Sequence, residues 1–559
     1  MSTDLTEARL PAARVRGNDY KALRPPALGA WTPALTVSIV VPAYNGQRKL
    51  DLALAGLARQ TYPQELVEVV VVDNGSAPPL RLPRIRPELT RLVVCDTPGR
   101  ANARNAGLAA ATGDVIHWLD SDIVLDPAEV EAHMRWHHLA PYMVVASYLR
   151  FTPAALPSPE VVAGADLAGL FEPAEPHQWL VDLIERTGGL VEDAHRAFSL
   201  HVGGATSVSA RLLARTGPMD VDLILGQDTE LGYRLAQAGA VFVPDPEARG
   251  YHLGPSMRMR DKTPIDRVSH AFIADRVPAY RWLRSHPARR WKVPYVQVVV
   301  EAAGYDDVRA GVDAVLAGTV ADVTVELTGP WDTLAPERRA PLTDPDLDLA
   351  LIHGHYAHEP RVHLVTDAAP TFAPFRLVLP AGWAPGEDTL ARLLDLAREQ
   401  ECGLVNVLLA ERADGVVTAR LERTAAFARA ELVAGAEEDL DDVVEETFGV
   451  LWADGETYGF TAAADAPDIL GRRSAYRARQ QAEAEVVRLT KEAERLRGQI
   501  VRWRDEAGRW RKNAVDMRRE VGALRKELAA AKKVLQQHAG GRSRLARTIK
   551  RALSRNRRA

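Results

Sequence analysis

Residues 113–127 read GDVIHWLDSDIVLDP, and the rest of the chain is organised around this stretch. Its apolar run, Val115 to Leu119, has the β-branched and aromatic residues of a buried strand, and Asp126-Pro127 predicts the start of a helix. Ligands of an α/β sheet bind at the carboxyl ends of the strands, where Asp120 and Asp122 stand. Two carboxylates one residue apart can converge on a hard divalent cation and, through it, on a diphosphate. Taken alone, the same pattern also describes a strand that ends in solvated acids.

The composition is that of a globular protein with two or three domains. Of its 559 residues, 47% are hydrophobic and 26% charged, and the net charge of −4 conceals a basic segment that follows an acidic body. The two cysteines, Cys95 and Cys402, are too few for a disulfide framework or a zinc site and fit a reducing compartment. Because no apolar run has the length of a membrane span and the N-terminus lacks a signal-peptide core, we expect a cytoplasmic protein.

Short apolar strands alternate with helical patterns in the first half of the chain. The predicted strands are 37–41, 67–72, 91–95 and 115–119, and helical patterns cover 50–58 and 101–111. This alternation predicts a mostly parallel sheet with right-handed crossovers. Polar loops follow three of the strands, at Tyr44-Asn45, Asp73-Asn74 and Asp120-Ser121-Asp122. Because the carboxyl ends of parallel strands meet at one edge, these loops together predict a nucleotide site.

Further segments offer polar groups to that edge. A carboxylate at Asp73 can accept the N–H of a uracil-like base or a ribose hydroxyl. The segment 99–105 opens a helix, where backbone amides and arginines such as Arg104 favour an anion. Asp228 stands at the start of another predicted helix, as a helix cap or as a catalytic carboxylate. His252 follows a later strand and could be the third ligand of the cation.

Seven motifs connect these residues. They read VSIVVPAYN, VVVVDNGS, GRANARNAG, WLDSD, VGGATSVSA, GQDTELGYRL and YHLG, within residues 36–255. Their order and spacing resemble those of family 2 glycosyltransferases of the GT-A fold, and the later motifs resemble galactosyltransferase-like and chondroitin-polymerase-like enzymes. The resemblance implies a Rossmann-like α/β domain that transfers a sugar, with inversion, from a nucleotide-diphosphate sugar. UDP is the favoured nucleotide, and a glycan or lipid-linked hydroxyl of cell-envelope polysaccharide synthesis is the implied acceptor.

Position by position, the resemblance also implies roles for individual residues. The implied donor-binding residues are Pro42, Tyr44, Asp73, Arg104 and Asp120. The implied ligands of Mn²⁺ or Mg²⁺ are Asp120, Asp122 and His252, and Asp228 matches the base that takes the acceptor proton. One position departs from the family, because Gln227 stands where relatives commonly have Glu. The alternatives are a non-catalytic scaffold that binds a nucleotide sugar, and a nucleotidyltransferase, although the chain lacks the glycine-rich basic loop of the latter.

The predicted domains extend well beyond these motifs. We expect a poorly ordered arm at residues 1–34, a GT-A domain at 35–290 and a second α/β domain at 291–466. The second domain repeats the order of the first and is interpreted as a degenerate GT-A-like copy, with an unrelated α/β domain as the alternative. Leu379-Pro380-Ala381-Gly382 stands there in place of Leu119-Asp120-Ser121-Asp122.

The C-terminal residues have a different pattern. Residues 472–537 carry an apolar seam over seven heptads, which predicts a coiled coil that ends at Gly540-Gly541. A parallel homodimer is favoured over packing back on the chain's own domains, and an antiparallel pairing or pairing with a different chain is a further alternative. The basic tail, residues 538–559, predicts peripheral contact with the inner face of the membrane, or else a disordered tail. Without base-stacking aromatic residues beside the charge, nucleic-acid binding is not expected.

Overall fold

The computed structural model describes residues 13–284, 289–335, 340–413, 415–466 and 472–555. The chain divides into two compact units, Met1–Pro467 and Asp468–Ala559. The first unit contains two large sheets with their helices, and the second unit contains one long helix. None of the described helices combines the length and the apolar character needed to cross a lipid bilayer.

The first sheet is built from residues 37–253. Its strands are β1 (Val37–Ala43), β2 (Val67–Asp73), β3 (Thr90–Val94), β4 (Val115–Leu119), β5 (Ile123–Leu125), β6 (Met143–Thr152), β7 (Glu175–Pro176), β8 (Ala205–Ser209) and β9 (Val241–Leu253). Its helices are α1 (Gln47–Leu57), α2 (Arg100–Ala110), α3 (Glu129–His137), α4 (Pro159–Gly164), α5 (Leu167–Phe171), α6 (Gln178–Arg186), α7 (Ala210–Thr216), α8 (Gln227–Gln237), α9 (Met257–Arg260) and α10 (Lys262–Ile273). Short 3-10 turns cover Tyr20–Ala22, Gln64–Leu66, Ala194–Leu200 and Arg281–Leu283.

The strand order is β3-β2-β1-β4-β8-β6-β9-β5, and the sheet is mixed rather than mostly parallel. The strands β1 to β4 are parallel, as predicted, and helices α1 and α2 form two of the three crossovers between them. β8 runs against both of its neighbours. The chain leaves β6 at the edge where β4 ends, and β8 returns from that same edge. The intervening residues 153–204 therefore begin and end at the edge where the predicted site lies.

Helices cover both faces of this sheet. Leu50 and Leu54 of α1 pack with Ile39 and Val41 on one face. The α2 helix packs on the other face, where Ala103 lies in one cluster with Val40 and Val72. A strand with apolar side chains on both faces is typical of a sheet buried between two helical layers. The polar strand ends are thus held at the edge of a rigid, close-packed core.

The expectation of a poorly ordered N-terminal arm does not hold for residues 13–34, and residues 1–12 lie outside the described residues. Val15 is fully buried, and Asn18 Nδ2 donates to the carbonyls of Leu190 (3.1 Å) and Phe242 (3.0 Å). Trp31 Nε1 donates to Glu131 Oε1 at 3.0 Å. These contacts fix the path of residues 13–34 against the first sheet and its helices, despite their prolines and polar side chains.

The second sheet is built from residues 296–462. Its strands are β10 (Val296–Glu301), β11 (Val323–Thr328), β12 (Val362–Val365), β13 (Phe375–Val378), β14 (Trp383–Pro385), β15 (Leu404–Arg412), β16 (Gly415–Arg423), β17 (Val450–Asp454) and β18 (Phe460–Ala462), of which β14 and β18 form a separate pair. The helices are α11 (Tyr305–Ala317), α12 (Leu347–Tyr356), α13 (Thr389–Glu399), α14 (Thr424–Val433), α15 (Leu440–Thr447) and α16 (Gly455–Tyr458). The 3-10 turns are Trp331–Thr333, Pro341–Thr343 and Ala463–Asp465.

The two sheets share a hydrophobic core at the interface of α8 and α14. Ala426 and Ala430 of α14 belong to the same buried cluster as Leu235 of α8. Arg429 is 2% exposed and donates to the main-chain carbonyls of Gly239 and Ala240. This packing makes the second sheet part of one compact unit with the first.

The helix α17 (Arg472–Arg555) forms the C-terminal unit. It continues through Gly540-Gly541, where we expected the helix to end. A glycine lowers helix stability by only about 1 kcal/mol relative to alanine, and neither glycine is followed by proline, so the helical pattern on both sides carries through. The described seam residues are exposed on this helix, including Leu496 (45%), Trp503 (67%) and Leu528 (57%). The predicted coiled coil is thus observed as a single long helix.

Candidate functional site

Two asparagines hold the loops at the strand ends together. The main-chain N–H of Asn45 donates to Ser76 Oγ, and Asn45 Oδ1 accepts from the N–H of Ala77, both at 2.9 Å. Asn74 Oδ1 accepts from the N–H of Gly99, also at 2.9 Å. The loops after β1, β2 and β3 therefore meet at one edge and are joined there by side-chain hydrogen bonds.

The residues expected to bind a nucleoside lie at this edge. Pro42 is half-buried in β1, and Tyr44, just beyond that strand, is 66% exposed. Asp73 ends β2, and its two carboxylate oxygens accept from the N–H groups of Ser76 and Leu80 at 2.9 Å each. Burial raises the pKa of Asp73, but these hydrogen bonds outweigh it and the net pKa is lowered. The carboxylate is consequently ionised and held in one orientation.

Asp122 and His252 face each other across β5 and β9. His252 Nε2 lies 3.5 Å from Asp122 Oδ1, and His252 Nδ1 hydrogen-bonds to the carbonyl of Gly254 at 2.7 Å. When Nδ1 donates to that carbonyl, Nε2 presents its lone pair towards Asp122. The ring of His252 also stacks on Phe151, with centroids 4.7 Å apart. This orientation is that of a histidine prepared to bind a metal ion beside a carboxylate.

Lys49 also contacts Asp122, and the sequence pattern gives no sign of it. Lys49 Nζ lies 3.1 Å from Asp122 Oδ2 and donates to the carbonyl of Leu253 at 2.6 Å. Lys49 lies in the first turn of α1, directly after the loop that carries Tyr44, and only the folded chain brings it to the DxD segment. A positive side chain thus stands beside one of the predicted metal ligands.

The charges around Asp120 fit a divalent cation. Burial of the Asp120 carboxyl group raises its pKa, Arg104 opposes that shift, and the neighbouring carboxylates of Asp122 and Asp228 add to it. A bound cation would favour the ionised carboxylates and lower that pKa. Two carboxylates and an imidazole are suitable ligands for Mn²⁺, and carboxylates for Mg²⁺. The residues present therefore fit the ion that the sequence implies.

Arg104 connects the DxD segment to Asp228. It is 3% exposed, and its Nη2 donates to Asp120 Oδ1 at 2.8 Å and to the carbonyl of Gly203 at 2.7 Å. Its Nη1 forms an ion pair with Asp228 Oδ1. Asp228 lies in the first turn of α8, and the N-cap of that helix is Gly226, so Asp228 is not the cap. One guanidinium group thus brings the predicted base and the first DxD acid together.

A buried polar network lies beneath the site. His117, three residues before Asp120, and Glu129 and His133 of α3 are all fully buried. His117 Nε2 lies 3.0 Å from Glu129 Oε1, and His133 Nε2 lies 3.3 Å from the same oxygen. Burial raises the pKa of Glu129, but His117 and His133 lower it to about 2. Burial lowers the pKa of His133 to about 4.

Among the described residues, this is the one group of three potential metal ligands whose donor atoms all lie within 4.8 Å of one another. The two imidazole rings are stacked, with centroids 4.8 Å apart and planes at 26°. Because a metal ion lies in the plane of each imidazole that binds it, two nearly parallel rings do not direct both lone pairs at one ion. His133 also hydrogen-bonds to Ser207 Oγ and Ser147 Oγ, at 2.8 Å each. The group could bind a metal only after one ring turned.

A cleft of about 830 Å³ lies elsewhere on the first sheet. Its lining includes Tyr148, Arg249 and His177, and no residue of the predicted donor, metal or base sets. The candidate site is instead the open edge described above. All eight predicted site residues lie at that edge, and Arg104, Asp120 and Asp228 are in direct contact.

Comparison with known proteins identifies part of the first sheet. Residues 38–157 match the family described as Glycosyl transferase family 2. This segment is a family 2 glycosyltransferase domain. Its mixed α/β sheet is GT-A-like, and the matched residues include β1, β2, β4 and the DxD segment at their edge.

Among known relatives, the chondroitin synthase of Escherichia coli is 24% identical over an alignment of 363 residues that covers 59% of this chain and 50% of that protein. The validoxylamine A glucosyltransferase of Streptomyces hygroscopicus subsp. limoneus is 28% identical over an alignment of 303 residues that covers 50% of this chain and 63% of that protein. The chain therefore spans half to somewhat under two thirds of the length of these relatives. A mannosyltransferase of Pyrobaculum calidifontis, solved with GDP-Man and Mn²⁺, gives a TM-score of 0.30 at 18% identity over 45% of this chain and 70% of that one.

Proposed function

We propose that the glycosyltransferase domain transfers a sugar, with inversion, from a nucleotide-diphosphate sugar to an acceptor hydroxyl group. The observation that carries this proposal is the meeting of Asp120, Asp122 and Asp228 at the edge where β1, β2 and β4 end. Carboxylates on a cation and a separate carboxylate base are the groups that a single displacement at an anomeric carbon requires. A uridine nucleotide remains the favoured donor.

The donor side of the reaction uses the ends of β1 and β2. Asp73, ionised and fixed by the amides of its loop, would accept a hydrogen bond from the base or the ribose. Tyr44 has enough exposed surface to pack against the nucleoside. Asp120, Asp122 and His252 would hold Mn²⁺ or Mg²⁺, which supplies charge neutralisation for the leaving diphosphate when it is bound. Lys49, next to Asp122, adds a fixed positive charge on the same side.

The acceptor side uses Asp228. Its side chain is 26% exposed, so an acceptor hydroxyl group can reach it. A positioned carboxylate that takes the proton as the oxygen attacks contributes about 10²–10⁴-fold to the rate. Gln227, in place of the glutamate of relatives, is 3% exposed and so belongs to the packing of α8. A glycan or lipid-linked acceptor of cell-envelope polysaccharide synthesis remains our proposal for the substrate class.

The C-terminal unit suggests how the enzyme assembles. An exposed apolar seam on a helix of 84 residues favours a second helix as its partner. We propose a parallel homodimer through α17, with the basic residues near its end on the anionic inner face of the membrane. The second α/β domain, residues 291–466, would then serve packing, acceptor binding or dimer contact as a degenerate copy of the first. Nucleic acid is not among the proposed partners.

The test is a transfer and hydrolysis assay with a panel of UDP-sugars in the presence of Mn²⁺. The wild-type protein should turn over at least one donor, and removal of the metal with a chelator should abolish that turnover. Asp122→Ala should remove the response to Mn²⁺. Asp228→Asn should lower the transfer rate by about 10²–10⁴-fold and leave donor binding in place.

Asp222→Asn provides the matched control, because Asp222 precedes Asp228 by six residues and its side chain is 73% exposed. The control should keep the wild-type rate within about twofold. Nucleotide-sugar binding, seen as a thermal shift, without turnover of any donor would instead identify the chain as a non-catalytic scaffold. Turnover that survives both Asp122→Ala and Asp228→Asn would place the chemistry elsewhere.

A further inference from the structure

The guanidinium group of Arg104 is directed inward, away from the open edge. The Arg104 side chain is 3% exposed, and its two terminal nitrogens contact Asp228, Asp120 and the carbonyl of Gly203. Nε is buried as well and makes no hydrogen bond with any described residue. A donor molecule could reach this side chain only by displacing one of the two carboxylates.

The chain around this ion-pair group is shaped to leave room for it. Gly203 has a φ of +69°, a conformation that favours glycine. A Cβ atom at this position would lie 2.6 Å from Arg104 Nη1 and would also collide with Asp228 Oδ1. The next residue, Gly204, accepts from the N–H of Asp120 at 3.0 Å. The glycine pair of the motif VGGATSVSA thus fits around the contact between α2, α8 and the DxD segment.

The backbone of Asp228 is fixed from a further direction. His201 is 1% exposed, and its Nδ1 hydrogen-bonds to the carbonyl of Asp228 at 2.8 Å. The carboxylate is therefore held by Arg104 and the main chain by His201. Because buried side chains bind both the carboxylate and the main-chain carbonyl of Asp228, this residue has little freedom to move.

We propose that Arg104 is a positioning residue, which holds the base Asp228 at a fixed separation from Asp120 and so aligns the acceptor side of the reaction with the donor side. This inference rests on the proposed function. A planar guanidinium with N–H groups in a fixed fork can bind two carboxylates at once, whereas a lysine ammonium is a single point charge on a flexible stem. In-line displacement depends on the placement of the attacking and leaving groups, and a misplacement of about 1 Å can cost about 100-fold in rate.

The role differs from that of a donor ligand in a measurable way. A residue that acts through Asp228 affects the rate of transfer more than the binding of the nucleotide. A residue that contacts the donor affects nucleotide affinity directly. Removal of Arg104 would also leave the carboxylates of Asp120 and Asp228 without the guanidinium group between them. Their positions would then change even if the fold were intact.

The experiment compares Arg104→Lys and Gly203→Ala with the wild-type enzyme. For both variants we expect kcat for transfer to fall by about 100-fold, with the KM for the donor and the calorimetric affinity for UDP and Mn²⁺ changed by less than about threefold. Gly203→Ala keeps every ionisable group and places a Cβ atom against Arg104 and Asp228, so it tests the inference even if Arg104→Lys fails to fold. Urea unfolding of this variant measures separately the backbone strain that alanine adds at a positive φ. Arg398→Lys, at a 57% exposed side chain in the second sheet's helices, is the control.

A double-mutant cycle completes the test. In the Asp228→Glu background, where the carboxylate is already displaced, Arg104→Lys should cost no more than about twofold further, because coupled residues are not additive. If the fold-losses in kcat of the two substitutions multiply in the double variant, the positioning role is wrong. A loss of UDP affinity with kcat retained would also overturn it. Both results leave the proposed transferase function standing. A wild-type enzyme without turnover of any donor would overturn the proposed function itself, and the inference with it.

Discussion

Acid should destabilise the first sheet through its buried histidines, and His133 provides a measurable case. His133 is fully buried against Glu129, with His117, His137, Asp245 and Arg135 as its other charged or titratable neighbours, and burial lowers its pKa from 6.5 to about 4. In the folded protein it stays neutral down to about pH 4, whereas in the unfolded chain it takes up a proton below about pH 6.5. Acid therefore favours the unfolded state across this window.

The size of the effect follows from the two pKa values. Each pKa unit between the folded and unfolded states corresponds to about 1.4 kcal/mol, so His133 alone costs about 2 kcal/mol of unfolding free energy at pH 5 and about 3 kcal/mol at pH 4. Glu129 has its pKa lowered from 4.5 to about 2, so its stabilisation is complete above pH 4.5 and is lost only below that value. Between pH 6.5 and 4.5, Glu129 therefore adds little to the change in unfolding free energy that His133 causes.

His133→Gln removes the titrating group and keeps an amide able to hydrogen-bond to Ser147 and Ser207. Urea unfolding followed by tryptophan fluorescence at pH 7, 6 and 5 would measure both proteins. We expect the wild type to lose about 2 kcal/mol more than His133→Gln between pH 7 and pH 5. His363→Gln, at an exposed histidine on β12, should follow the wild type. Parallel losses in the wild type and His133→Gln would refute the reasoning.

Three further outcomes are expected. Lys49→Met should lower the Mn²⁺ concentration for half-maximal activity several-fold, because it removes a positive charge 3.1 Å from Asp122; a metal titration that is unchanged or shifted upward would contradict this. Arg429→Met should lower the urea midpoint by an amount equivalent to more than about 3 kcal/mol, since it leaves several buried carbonyls without a donor, and a change below about 1 kcal/mol would speak against that contact. Leu524→Lys combined with Leu528→Lys should convert a dimer into a monomer in light scattering, with Arg525→Lys as the control; an unchanged mass would remove the seam from the interface.

Local patterns in the sequence are sufficient for the strands that carry the site. The runs VSIVV and VEVVVV place valine or isoleucine on both faces of a strand, and the structure has strands at Val37–Ala43 and Val67–Asp73. The helix predicted at Asp228 begins at Gln227, one residue after the glycine. These features depend on neighbouring residues alone, so the sequence contains them directly.

Features that depend on distant residues were not accessible in the same way. Lys49 and Asp122 are 73 residues apart in the sequence, and only the fold brings Lys49 Nζ to 3.1 Å from Asp122 Oδ2. The prolines of residues 13–34 suggested disorder. That prediction was wrong because composition does not show the distant buried carbonyls to which Asn18 donates. The spacing of Glu129 and His133 by four residues did place them on one face of α3, and that signal could have pointed to a buried polar group. Its partner His117 comes from another element.

The second sheet has a strand order like that of the first but differs from it at the positions of the DxD acids. Its strand order, β12-β11-β10-β13-β16-β15-β17, and its directions repeat those of β3-β2-β1-β4-β8-β6-β9, and β14 pairs antiparallel with β18 as β5 does with β9. The segments between corresponding strands also match: β13 and β14 flank Leu379 to Gly382, just as β4 and β5 flank Asp120 to Asp122. A shared fold therefore does not by itself provide a metal site. Since Pro380, Ala381 and Gly382 offer no carboxylate, this segment of the second sheet lacks the acids that Asp120 and Asp122 provide in the first, and we expect the second sheet to serve binding or packing rather than transfer.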